Sequence, residues 1–107
     1  MNFEPLMLKM GRAYEKVPVL NILYIICVSR LRKVVTIDNK VYLINTSLEE
    51  LRSKLPDAEF MKIHKSSLIC LRHVSSLNSE TVIIAGRPLK VSRSYKAELH
   101  RRFNKLR

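Results

Sequence analysis

The sequence predicts a mainly β fold with two short helices, and three observations carry that expectation. Short apolar runs alternate with turn-forming residues along most of the chain. One run, Ile22–Val28, is almost continuously β-branched and aliphatic, and only two segments place apolar residues at helical spacing. With 107 residues and 47% hydrophobic composition, residues 1–107 are expected to form a single domain with one modest core.

The elements follow in order. Leu6–Lys9 and Glu15–Val17 flank Gly11-Arg12, a first hairpin. Pro18 to Asn21 reads as a brief turn or helical connector. Ile22–Val28 lacks the polar alternation of a half-exposed strand, so it reads as a central strand buried on both faces. Val34–Ile37 and Val41–Ile44 bracket Asp38-Asn39-Lys40, a second hairpin with turn formers between its strands. Ser47 to Leu55 changes period: Leu48, Leu51 and Leu55 share a helical face, Ser47 and Glu50 have the form of a capping box, and Pro56-Asp57 stops the helix. Phe60, Ile63, Leu68, Ile69, Leu71 and Val74 return to short strand-like pieces. Val82–Ala85 and Leu89–Val91 flank Gly86-Arg87-Pro88, a third hairpin. A closing helix places Tyr95, Leu99, Phe103 and Leu106 on one face, with Ser92 or Ser94 as its cap.

Charge is distributed unevenly. Residues 61–107 carry eleven Lys or Arg against Glu80 and Glu98, a net of +9, whereas the first sixty residues carry nine basic and seven acidic side chains, a net of +2. A half built this way suits a polyanion, since Lys and Arg that neutralise phosphates release condensed counterions. The same charge on a merely solvated surface would serve only solubility and loose association.

Several function classes are disfavoured. Two glycines, Gly11 and Gly86, cannot build a Gly-rich phosphate cradle. No apolar run is long enough to span a bilayer and the N-terminus lacks signal-peptide order, so a cytoplasmic protein without membrane contact is expected. Cys27 and Cys70 lie in apolar surroundings without ligand spacing, as reduced core thiols would. His64, His73 and His100 are irregularly spaced and join no nucleophile, paired carboxylates or metal set, so neither an enzyme, a metal nor a cofactor is expected. The tyrosines are scattered through separate elements, which favours packing over base stacking. Adjacent amphipathic helices, zinc ligands and basic-zipper heptads are lacking, so any DNA reading falls to loops and strand ends.

Two clusters carry the chemistry. Lys62-Ile63-His64-Lys65-Ser66-Ser67 and Lys90-Val91-Ser92-Arg93-Ser94-Tyr95 each follow an apolar strand and mix long cations with small hydroxyls. Cations reach phosphates or base edges, while hydroxyls and backbone N–H groups fix phosphate oxygens. Arg93 also lies just inside a helix N-terminus, where free amides and the macrodipole favour an anion.

In order along the chain, Phe60-Met61-Lys62-Ile63-His64-Lys65-Ser66, the pair Leu68-Ile69, Val74, and Leu89-Lys90-Val91-Ser92-Arg93-Ser94-Tyr95 resemble the LytTR-type DNA-binding domain of bacterial response regulators. Tyr14 to Pro18 and Ile22 to Ile25 look like that family's opening strand, and Ser47 to Leu51 resembles its short helix. The resemblance implies small stacked antiparallel sheets and double-stranded DNA as partner. It also implies loops that enter successive major grooves at repeat sites, two copies on one operator as a homodimer on DNA, and a receiver domain or kinase partner in the full system. Carried over by position, Lys65 and Arg93 would contact bases, and Arg is the commonest bidentate partner of guanine. Arg30, in the stretch Ser29-Arg30-Leu31-Arg32-Lys33, would supply a third base contact. His64, Ser66, Ser92 and Tyr95 would contact phosphate or support the loops, and Arg101 would touch phosphate. The chain departs from the family pattern at Ser67, Cys70 and Lys90, and at Ile26-Cys27-Val28-Ser29, where the family carries an acid and a glycine. The competing expectation is a LytTR-like protein-association module with only nonspecific affinity for nucleic acid.

Overall fold

The computed structural model describes residues 3–105. The chain is mainly β, in three antiparallel sheets with two short α-helices. β1 (Leu6–Met10) and β2 (Ala13–Val17) form a hairpin closed by Gly11-Arg12. A 3₁₀ turn, Val19–Asn21, then leads into β3 (Ile22–Val28), the middle strand of a five-stranded sheet. β4 (Leu31–Thr36) and β5 (Val41–Ile44) extend that sheet on one side of β3; β6 (Phe60–His64) and β7 (Ser67–Cys70) complete it on the other, in the order β5-β4-β3-β7-β6. Between β5 and β6 lies α1 (Leu48–Ser53). After a second 3₁₀ turn, Leu71–His73, β8 (Val74–Leu77), β9 (Thr81–Ile84) and β10 (Arg87–Lys90) form the third sheet, and α2 (Arg93–Arg101) closes the fold.

Alternation along the strands gives the five-stranded sheet two apolar faces. One face carries Ile22, Ile25, Val34, Tyr42, Ile44, Phe60, Leu68 and Cys70, covered by Leu6, Leu8 and Val17 of the hairpin and by Leu48, Leu51 and Leu55 around α1. The other carries Leu23, Tyr24, Met61, Ile63 and Ile69, covered by Val82 and Ile84 of β9, by Val91, and by Leu99 of α2. Strict alternation would place Leu23 and Tyr24 on opposite faces. A bulge between Ile22 and Tyr24 in the β3–β4 pairing puts both in the second core. Ile25, Ile63, Leu68 and Ile69 are fully buried, and each such side chain contributes about 1.5–3 kcal/mol relative to leaving it in water.

Local chemistry explains most element ends. Ser47 Oγ accepts from the Glu50 N–H at 3.1 Å, the helix-facing half of the expected capping box. Tyr95, Leu99 and Phe103 pack into the second core as the helical spacing predicts, while Leu106 lies outside the described residues. At the second hairpin the Thr36 N–H donates to Lys40 O at 3.0 Å, and Asn39 takes φ 64°, a left-handed position that Asn tolerates.

The structure corrects several expectations. Two cores, one on each face of the five-stranded sheet, replace the single modest core expected, and Leu71 lies in a 3₁₀ turn and not in a strand-like piece. β3 is buried on both faces only from Ile22 to Ile25; Ile26 and Cys27 are half-buried and Val28 is 44% exposed. β4 starts at Leu31 rather than Val34: Val28 pairs with Leu31, so the expected contact loop over residues 29–33 is a two-residue turn, Ser29-Arg30, with Leu31, Arg32 and Lys33 in the strand. The third hairpin turns at Ala85-Gly86 (φ 51° and 77°), because a two-residue turn with both φ positive matches the twist of its flanking strands. Arg87 and Pro88 therefore belong to β10, an edge strand, where proline's missing N–H is tolerated. Finally, Ser92 holds the N-cap position of α2 through its backbone, Tyr95 N–H donating to Ser92 O, and its hydroxyl makes no capping bond.

Candidate nucleic-acid interface

Antiparallel pairing brings separate basic segments to one end of the five-stranded sheet. Ile26 of β3 pairs with Ser67 of β7, so the β3–β4 turn and the β6–β7 turn lie on adjacent strand ends. The Cys27 N–H donates to Ser66 O at 2.9 Å and extends that pairing into the β6–β7 turn itself. On the other side, the Ser92 N–H donates to Ile63 O at 2.8 Å and pins the start of α2 beside the last residues of β6. Ser29-Arg30, His64-Lys65-Ser66 and Ser92-Arg93 thus stand in a row, each carried by a rigid element.

His64 organises the middle turn. Its Nδ1 accepts from the Ser66 N–H at 3.2 Å and lies 2.9 Å from Ser66 Oγ. With Nδ1 accepting, the neutral ring carries its proton on Nε2. His64 and Ser66 are half-buried in this arrangement, whereas Lys65 between them is exposed. The pair therefore acts as a local brace that presents Lys65 outward.

Ion pairing sorts the cations. Lys40 pairs with Glu15, Lys62 with Glu49, Arg72 with Glu59, and both Arg101 and Arg102 with Glu98. Arg101 and then Arg102, hydrogen-bonded to the Glu98 carboxylate, hold its pKa below the ordinary range. Among the described residues, Arg30, Lys65 and Arg93 take no part in any ion pair, and all three are exposed. Lys9, Arg12, Arg52, Arg87 and Lys90 are likewise exposed and outside the described ion pairs, so what distinguishes these three is their shared place at one sheet end.

Two residues expected at the site stand apart from the row. Tyr95 is half-buried and packs against the second core, so it supports α2 from within. Arg101 lies at the far end of α2, about 12 Å along the axis from Arg93 at 1.5 Å per residue. Arg102 beside it donates to Asp57 O at 2.9 Å and fixes that far end near the start of β6. One cation within the expected contact stretch is distinctive: Arg32, on β4, has its Nε and Nη1 buried without an acceptor among the described residues. Its signal in the sequence is its spacing of two from Val34, which places it on the face of the first core.

A groove of about 1070 Å³ lies between β1, β5 and α1 and includes Met7, Lys9, Leu43, Asn45, Glu50 and Lys54. It contains none of Arg30, His64, Lys65 or Arg93, and its polar residues form no nucleophile–base arrangement. Burial pushes the Cys70 thiol up to about 11, so this cysteine stays protonated in the core. Among the described residues no three His, Cys, Asp or Glu side chains gather as metal ligands would, and no helix is long and apolar enough to cross a membrane.

The family model for the LytTr DNA-binding domain matches residues 12–104. Among solved structures, the chain is similar to the LytTr DNA-binding domain of a Bacillus cereus protein described as a methyl-accepting/DNA response regulator. That likeness has a TM-score of 0.79 at 20% identity, over 92% of this chain and 95% of the other. No curated protein sequence matches significantly. A family match over most of the chain, on a fold that gathers unpaired cations at one sheet end, makes this protein a member of the LytTR family of DNA-binding domains.

Proposed function

We propose that this protein is the sequence-reading part of a bacterial transcription regulator and acts on double-stranded DNA in the cytoplasm. Lys65 and Arg93 enter successive major grooves on one face of the duplex, and Arg30 reaches a third position from the β3–β4 turn. His64 and Ser66 hold the Lys65 turn in shape. The Ser92 hydroxyl, unused as a cap, and the first free amides of α2 take a phosphate. Tyr95 seats α2, and Arg101, at the far end of that helix, meets backbone phosphate by exchanging its partner Glu98 for it. Repeat sites would place two copies on one operator, and a receiver domain or kinase partner would supply the input. The chemistry calls for no cofactor.

The observation that carries this reading is the row of exposed, unpaired cations at one sheet end, joined by the backbone bonds Cys27–Ser66 and Ile63–Ser92. The test is selection of duplexes from a random library with the full chain, followed by titration of selected and scrambled duplexes at two salt concentrations. A specificity ratio of ~10³ or more is expected, with steep salt dependence for both duplexes. Equal affinities would overturn the reading. They would favour the protein-association alternative.

A further inference from the structure

Arg32 is chemically out of place. It sits on β4 between Cys27 and Ile44 on the neighbouring strands, and both neighbours pack with the first hydrophobic core. Its Nε and Nη1 are buried and meet no acceptor among the described residues. The acids of α1 do not relieve it: Glu49 pairs with Lys62, and Glu50 forms no ion pair among the described residues. A guanidinium carries five donors and stays charged at every relevant pH, so desolvating it without an acceptor is costly. An apolar side chain of similar volume would fit that strand position at no such cost.

Position suggests what offsets the cost. Arg32 lies two residues past the Ser29-Arg30 turn and opposite Cys27, whose N–H is bonded to the Lys65 turn. Its side chain therefore starts from the same sheet end as the proposed DNA-reading row, on the face opposite α2. A phosphate there would accept from a guanidinium fork in bidentate geometry. We propose that Arg32 is a further DNA contact, turning from its position on the sheet to clamp a backbone phosphate beside the β3–β4 turn. The proposal rests on the DNA-binding reading above. It adds a second anchor, so that the duplex is held from both faces of the sheet, by α2 on one side and Arg32 on the other. A phosphate contact positions the protein without reading sequence, so its loss should weaken every duplex alike.

Arg32→Met, made in the full chain, tests this against its structural alternative. Expected is about a tenfold weaker affinity for selected and scrambled duplexes alike, and a salt slope of log K reduced by about one, with a Tm equal to or above that of the unsubstituted protein. Unchanged affinity and slope would overturn the proposal, as would a loss confined to one duplex sequence. Should Arg32→Met fold poorly, the Arg32 side-chain Nε–H resonance of the unsubstituted protein gives a second readout. It should shift on titration with scrambled duplex, and a resonance indifferent to DNA would equally sink the idea. Absence of any DNA binding by the unsubstituted protein would instead refute the parent reading, so the two failures are distinct.

Discussion

Replacing Arg93 with alanine should separate recognition from stability. Arg93 is the first residue of α2, exposed, without an ion pair among the described residues, and the helix is capped through the backbone of Ser92. Its truncation opens no cavity and leaves no buried group unsatisfied. A cation in the first helical turn also opposes the macrodipole, by about 0.3–1 kcal/mol, and alanine is the better helix former. The variant should therefore be as stable as the unsubstituted protein or up to about 1 kcal/mol more stable, which raises Tm by several degrees at most. Binding should move the other way. A bidentate guanine contact carries ~1–3 kcal/mol of discrimination, or roughly 5- to 150-fold, and that loss should fall on the selected duplex. Fluorescence anisotropy with selected and scrambled duplexes, beside a thermal melt, measures both quantities. Equal losses on both duplexes would show Arg93 to be a phosphate contact. A loss that tracks a fall in Tm would show the row of turns to be structural scaffolding, and either result would refute the base-reading role.

Three further outcomes follow from packing and backbone geometry. Leu99→Ala removes a fully buried side chain of α2 from the second core and should cost about 2–5 kcal/mol in urea unfolding, with the m-value retained. Ala85→Asn should stabilise by about 0.5–1 kcal/mol, because Ala85 and Gly86 both take positive φ and Asn-Gly is the preferred pair for that turn; a melt showing destabilisation would argue against the turn geometry. Cys70, fully buried with its thiol raised to about 11, should resist alkylation at pH 8 and react only on unfolding, whereas half-buried Cys27 should react first; mass spectrometry of timed reactions distinguishes the order.

Much of the fold was legible because side-chain pattern and local chemistry agreed. The first hairpin, the central strand, the α1 cap at Ser47 and the apolar face of α2 all announce themselves within a few residues. The misplaced boundaries occur where tertiary context overrules local preference. Leu31-Arg32-Lys33 looks like a cationic loop, yet pairing with Ile26, Cys27 and Val28 on one side and β5 on the other makes it strand. Arg87-Pro88 looks like a turn, and becomes strand only because β10 is an edge. The proposed site divides in the same way. Lys65 and Arg93 are legible from their motifs, but the bonds that align their segments, Cys27 to Ser66 and Ser92 to Ile63, join backbone groups and leave no trace in residue identity. Arg32 was hidden by its neighbours, since a basic residue among basic residues reads as solvated until the strand register shows which way it faces.

The five-stranded sheet has a consequence for how the molecule comes apart. Alternate residues of the same strands supply both cores: Ile25 and Leu68 serve one, Tyr24 and Ile69 the other. Neither core keeps its wall if the other loses it. The hairpin with α1 and the third sheet with α2 are thus two lids on one common partition, and global opening should expose both together. Amide exchange of β3 and β7 should follow a single opening free energy equal to that of global unfolding, with no partly unfolded species that keeps one lid closed.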